Sequence, residues 1–253
     1  GRVAEAGLHL DENRRGGMVF EVRGLRDEAF DEEALFALLG HVVGRRTGSV
    51  VPVITGVPGG RTEDQLKAFG AAAASAGAVA MAHIVGVTPE ASSLAAALGG
   101  RAPIATHVIG PDKLRAATAE LTTATDGPLR TVSLGTPHLS LAGFERLAGL
   151  LAGATIHPDV TLYVATGRDV LATAEARGLT AVLAKPNAQV VVDTCTYITP
   201  ILRTDGLAMT DSAKWAWYAP GNLGVSVAFG TMEDCVRSAV EGRVVRDFGW
   251  LDG

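Results

Sequence analysis

The chain has 253 residues, 47% of them apolar and 19% charged, with a net charge of −5 and a mean hydropathy of +0.25. Its length allows a sizeable core. Its acidic balance excludes a basic stripe for nucleic acid or an anionic membrane, and no apolar run reaches the roughly 20 residues of a membrane span. So low a charge fraction implies that partner domains or subunits cover much of the surface. Two cysteines and no signal peptide point to the cytoplasm and to no disulfide framework. The opening "GRVAEAGLHLDENRRGG", without an initiator Met, reads as a piece of something longer.

Along the chain, β-branched runs alternate with alanine- and leucine-rich amphipathic runs. "MVFEVRG" reads as a strand, and residues 31–46 as a helix with an acidic first turn and a basic last turn, which suits the helix dipole. The strand "VVPVITGV" precedes a helix at residues 62–77, with Thr62 or its neighbour as its cap and Gly77 as its stop. "AVAMAHIVGV" reads as a buried strand. "TPEASSLAAALGG" reads as a helix capped by Thr88, with Pro89 in its first turn. The alternation continues through strands at "APIATHVIG", "LRTVSLG", "VTLYVATG", "AQVVVDTC", "GLAMTDS" and "VSVAFG". The helices between and after them read as "PDKLRAATAELTTA", "SLAGFERLAGLLAG", "RDVLATAEARG", "AKWAWYAPG" and "TMEDCVRSAVEG". This pattern predicts an α/β fold on largely parallel sheets covered on both faces. Two lobes are expected, residues 18–155 and 156–253, dividing near "GATIHPDV".

Ligand sites in such sheets gather beyond the carboxyl ends of the strands. The residues there are Gly86 to Glu90, Gly135 to His138, Thr166 to Arg168, Asp193 to Thr196 and Thr210 to Lys214, a set rich in hydroxyls with one His, one Cys and one Lys. Cys195 could be a nucleophile, a metal ligand or a small buried hydrophobe. Asp193 and Thr194 beside it favour a cavity lining. His138 could act as a base toward the thiol, although no cysteine-enzyme signature surrounds either residue. Two cysteines alone cannot build a four-thiolate iron–sulfur site.

Ser212 and Lys214 stand where a strand meets an aromatic-rich helix, a place suited to a carboxylate or phosphate. The alternative is that Asp211 or Ser212 caps the helix and Lys214 is solvated. His41, His83, His107 and His157 lack partners at ligand spacing, so core or surface roles suit them. No G-x-G-x-x-G or phosphate loop occurs, which leaves nucleotide binding without a motif.

The ordered set "GLHLDENRR", "GVTPEA", "LGTPHLSL", "VVVDTCTYITPI", "MTDSAKWAWYAPG" and "FGTMEDCVRSAV" resembles the catalytic region of aconitase X, a branch of the aconitase superfamily. The resemblance implies an iron–sulfur dehydratase acting on a small hydroxy acid, with cis-3-hydroxy-L-proline as the leading substrate and mevalonate 5-phosphate as the alternative. It also implies partners, namely an upstream catalytic segment and a small swivelling domain, absent from this stretch or carried by another chain. Carried over residue by residue, it makes Cys195 an iron ligand. Thr136 then stands where relatives often have Cys, which favours a [2Fe–2S] centre or an oxygen ligand. Lys214 and Ser212 would clamp the carboxylate, His138 would carry a proton, and Thr88, Asp193 and Thr194 would complete the pocket. Cys235 would be structural. A non-catalytic ligand-binding subunit and a thiol enzyme pairing Cys195 with His138 remain as other readings.

Overall fold

The computed structural model describes residues 1–184 and 187–252. Its first half comprises β1 (Met18–Val22), α1 (Glu33–Thr47), β2 (Pro52–Thr55), α2 (Glu63–Gly77), β3 (His83–Ile84), α3 (Leu94–Leu98), β4 (Ala105–Ile109) and α4 (Pro111–Glu120). The second half comprises β5 (Leu129–Leu139), α5 (Leu141–Leu150), β6 (Thr161–Thr166), α6 (Arg168–Ala176), β7 (Ala188–Val192), β8 (Leu207–Thr210), α7 (Ala213–Leu223), β9 (Val227–Phe229) and α8 (Met232–Glu241). The strands form two sheets, ordered β3-β2-β1-β4 and β7-β6-β5-β8-β9. Every pairing among the described residues is parallel. No helix of the described residues is long and apolar enough to cross a membrane.

Three expectations shift. β5 pairs with both β6 and β8, so the break between the sheets falls between α4 and β5, ahead of the division expected near residue 155. The strand expected across residues 78–87 shrinks to His83 and Ile84, because a run rich in alanine and glycine supplies few of the branched side chains that pack a pleated surface. The helix expected from Thr88 starts at Leu94 with Ser93 as its cap. The Thr88 hydroxyl instead accepts from the Ile84 amide at 2.9 Å, closing a turn.

α1 is the central element. From Ala34 to Gly44 every residue is buried, the pattern of a helix covered on all sides rather than one with a wet face. It packs on α2, and both pack against α7 of the second half. Leu35, Leu38, Phe69, Trp215 and Phe229 therefore belong to one continuous core that joins the two sheets, while Val132, Leu162, Met209 and Cys235 form a second core beneath the larger sheet. Glycines permit the close approach of α1 to α2. A Cβ at Gly40 would lie 2.2 Å from the Phe69 carbonyl oxygen, and one at Gly77 would lie 1.8 Å from that of Gly44. Capping boxes at Thr62/Gln65 and Thr231/Asp234 fix the starts of α2 and α8.

Gly40→Ala is expected to lower stability by about 1–3 kcal/mol through overpacking. Gly70→Ala, on an open helical position with no atom near the added carbon, is expected to raise it by about 0.5–1 kcal/mol. Urea unfolding of both variants reads the difference, and equal effects would contradict the tight crossing.

Candidate active site

β5 breaks register with β6 between Leu134 and Leu139, at Gly135, Thr136, Pro137 and His138. Gly135 has φ +84°, and a Cβ there would meet the Ala165 carbonyl oxygen at 2.1 Å, so only glycine lets the strand end turn against β6. β8 ends at Thr210 and feeds Asp211 and Ser212 into α7. These two strand ends face the first turns of α1 and α2. The cleft between them is lined by Glu33, Asp64, Lys67, Thr136, His138, Ser140, Asp211, Ser212 and Lys214, with Ala37, Ala68 and Ala71 as its apolar wall. It joins the two halves of the chain.

Part of this polar set is internally engaged. Lys67 Nζ donates to Asp64 at 2.9 Å and to the His138 carbonyl at 3.2 Å. The Ser140 hydroxyl donates to Asp64 and caps α5 by accepting from the Gly143 amide at 3.0 Å. The Ser212 hydroxyl caps α7, accepting from the Trp215 amide at 3.0 Å. Its capping role is thus established by geometry.

Four side chains remain open. Lys214 has no ion pair among the described residues. The Thr136 hydroxyl is buried, with 3% residue exposure, and has no hydrogen-bond partner. Glu33 and Asp211 receive no side-chain hydrogen bond. They also border a smaller recess with Arg146 behind them. Burial, reinforced by Glu33, pushes the Asp211 carboxyl up to about 7, and burial followed by the charge of Asp64 raises Glu33.

Thr136, His138, Ser212 and Lys214, all singled out in the sequence, meet in this cleft. Cys195 is not among the residues lining it. The thiol is half-buried against the joint core, beside Tyr197, whose hydroxyl is pushed up to about 12 by burial first and by Cys195 second. Its loop is nevertheless tied to the cleft. Thr196 Oγ1 accepts from the Trp215 indole at 2.8 Å and lies 2.7 Å from the Ser133 hydroxyl. The Thr194 carbonyl lies 3.2 Å from His138 Nε2.

The three expected pocket residues are engaged elsewhere, the Thr194 hydroxyl lying 2.8 Å from that of Thr199. Asp193 accepts from the Arg168 amide at 3.0 Å and from its Nε at 2.5 Å. The backbone bond first, and the guanidinium next, hold its carboxyl below the usual range at the start of α6. Thr88 borders a separate apolar groove with Leu66, Phe69 and Val79. Conversely, Glu33 and Asp64 were legible only as acidic first-turn residues, because each stands at the start of its own helix. Their convergence with Asp211 requires the packing of α1 and α2 on the second sheet.

The arrangement defines a two-sheet α/β protein whose strand ends and helix starts enclose a polar cleft, with Lys214 at the start of α7. Sequence models of the aconitase X second and third domains match residues 16–119 and 129–241. The chain belongs to the aconitase X family. It is 41% identical over 96% of its length to a cis-3-hydroxy-L-proline dehydratase of Pseudomonas aeruginosa, and 38% identical over 96% to one of Hypocrea jecorina. It spans only 42% and 41% of those two relatives. A phosphomevalonate dehydratase large subunit of Methanosarcina mazei is 30% identical over 96% of the chain, which spans 56% of it. The crystal structure of Thermococcus kodakaraensis aconitase X in its holo-form superposes with a TM-score of 0.78 at 28% identity, covering 92% of this chain and 57% of that one.

Asp211 gives the fold a pH signature. Its carboxyl holds a proton up to about 7 when folded against a free value of 3.8, so stability falls as pH rises through that window, when the unfolded chain has already ionised. Glu33 on α1, Arg146 on α5 and Cys235 on α8 surround it. Asp211→Asn is expected to remove much of that fall. Urea midpoints taken at about pH 5 and about pH 8 would contradict this if wild type and variant moved in parallel.

Proposed function

We propose that this chain carries the carboxylate-holding part of a hydro-lyase that eliminates water from cis-3-hydroxy-L-proline, giving a pyrroline-2-carboxylate after tautomerisation. The observation that carries the reading is Lys214, without an ion pair among the described residues, at the N-terminus of α7 in a cleft shared with His138 and Thr136. The 41% and 38% identities to hydroxyproline dehydratases support that substrate over the phosphorylated one, for which the identity to the Methanosarcina subunit is 30%. A phosphate would also need more cations, and Lys67 is already bonded to Asp64.

In this reading the Lys214 ammonium and the free amides of the first turn of α7 bind the substrate carboxylate. That contact stabilises the charge that grows toward the carboxylate as the α-proton leaves. Ser212 keeps the turn in place through its cap. His138, oriented by the Thr194 carbonyl, holds or passes a proton at Nε2. Asp193 and Thr88 support the frame rather than the ligand.

The fit to an iron–sulfur group is partial. Cys195 supplies one half-buried thiol, and the buried, unpartnered Thr136 hydroxyl is the other candidate donor. No group of three or more His, Cys, Asp or Glu able to hold a metal ion gathers among the described residues. Cys235 is fully buried under the second sheet. The remaining ligands therefore belong, in this proposal, to segments outside this sequence. When bound, such a group supplies Lewis acidity for the departing hydroxyl. Exposed Val192, Ile198 and Ile201 flank the Cys195 loop and suit a surface covered by those segments. The cytoplasm, which keeps thiols reduced, is the compartment proposed.

Full-length enzyme containing this chain is expected to dehydrate cis-3-hydroxy-L-proline and to leave mevalonate 5-phosphate unchanged; the opposite result overturns the substrate assignment. Lys214→Met is expected to lower kcat/KM by about 10- to 100-fold. Cys195→Ser in anaerobically prepared enzyme is expected to abolish the visible absorbance and lower the iron content while the circular dichroism stays unchanged. Retained absorbance would remove Cys195 from the ligand set.

A further inference from the structure

The charges in the cleft do not cancel group by group. Asp64 is matched by Lys67 and Ser140. What remains lining the cleft is one ammonium, Lys214, and a carboxyl pair, Asp211 and Glu33, with no side-chain donor to either; Asp211 accepts only from its own amide, and Arg146 behind the pair is matched by Glu32 at 3.6 Å. Buried polar groups in a folded protein are normally satisfied, and an unpaired carboxylate in a desolvated site is costly. The Thr136 hydroxyl is a second unmet group in the same cleft, buried and without a partner. Apart from that hydroxyl, cation and anion thus stand open together in a space whose other polar side chains are engaged, which is the complement of a zwitterion.

We propose that Asp211, with Glu33 beside it, binds the positively charged ring nitrogen of the substrate while Lys214 and the first turn of α7 bind its carboxylate, so that the cleft selects an α-imino acid. The proposal rests on the hydroxyproline reading and deepens it by naming the residues that recognise the substrate class. A phosphorylated hydroxy acid would add a phosphate of roughly −1.5 to −2 charge to its carboxylate, opposite two carboxyls and one free cation. The mismatch is repulsive in a narrow, poorly solvated space. Conversely, an incoming ammonium favours the ionised form of Asp211, so binding near neutral pH releases a proton from a group otherwise held up to about 7 by burial.

The test uses full-length enzyme and two probes of similar shape, L-proline and cyclopentanecarboxylate, which differ in the charged nitrogen. Competition or calorimetry gives the ratio of their affinities. Wild type is expected to favour L-proline by about tenfold or more. Asp211→Asn and Glu33→Gln are expected to bring the ratio toward one, and Lys214→Met to weaken both probes by a similar factor. A wild-type ratio near one, or a preference unchanged in Asp211→Asn, overturns the proposal. So does an Asp211→Asn variant that keeps the ratio and KM while losing kcat, since that pattern belongs to a proton carrier. Binding and turnover are read separately. If the enzyme consumes only mevalonate 5-phosphate, the hydroxyproline reading fails, whereas failure of this subsite appears in the probe ratio.

Discussion

The Thr196 hydroxyl lies between the Ser133 hydroxyl and the Trp215 indole, and all three residues are almost wholly buried. This small network joins β5, the loop after β7 and the start of α7, three elements far apart in the sequence. Each partner is a neutral donor or acceptor in a low-dielectric interior, where losing one leaves another unsatisfied. The residues proposed for chemistry sit beside these anchors. Cys195 precedes Thr196, Lys214 precedes Trp215, and Thr136 and His138 extend the strand that carries Ser133. If that junction shifted, thiol, ammonium and imidazole would lose their common frame.

The cleft takes its acidic wall from the other half of the chain. α1 and α2 pack closely because glycine and alanine line their crossing, and both then press against α7. Their first turns carry Glu33 and Asp64 to the ends of β5 and β8. A helix start ordinarily tolerates a carboxylate well, but here two such starts meet Asp211 where water is scarce, and Glu33 and Asp211 shift upward. The cleft consequently combines an amide-rich, cationic corner at α7 with a protonatable acidic wall. In the proposed function these become the two ends that hold an imino acid.

The alternation of strands and helices was legible because parallel sheets need continuous apolar strands and amphipathic crossovers, and the nine strands among the described residues do alternate with helices except from β7 to β8. The strand-end rule then brought Thr136, His138, Ser212 and Lys214 to one place. What was hidden lay in tertiary packing. The break between the sheets could not be read near α4, since β5 resembles any other buried strand until its partners are known. Thr88 had the look of a helix cap, yet its hydroxyl closes a turn on Ile84. Asp193 looked like a pocket wall beside Cys195, but the backbone turns there at φ +59° and the carboxylate reaches the start of α6. Glu33 and Asp64 offered only a dipole signature, which nearly any helix start can show.

Where a bound substrate places its carboxylate decides most directly whether Lys214 and α7 hold it. A crystal structure of full-length enzyme with cis-3-hydroxy-L-proline, or a slowly reacting analogue, would measure it. The carboxylate is expected within hydrogen-bond distance of Lys214 Nζ and the first amides of α7, with the ring nitrogen turned to Asp211. A ligand seated elsewhere, with its carboxylate away from α7 and Lys214 facing solvent, would contradict the account.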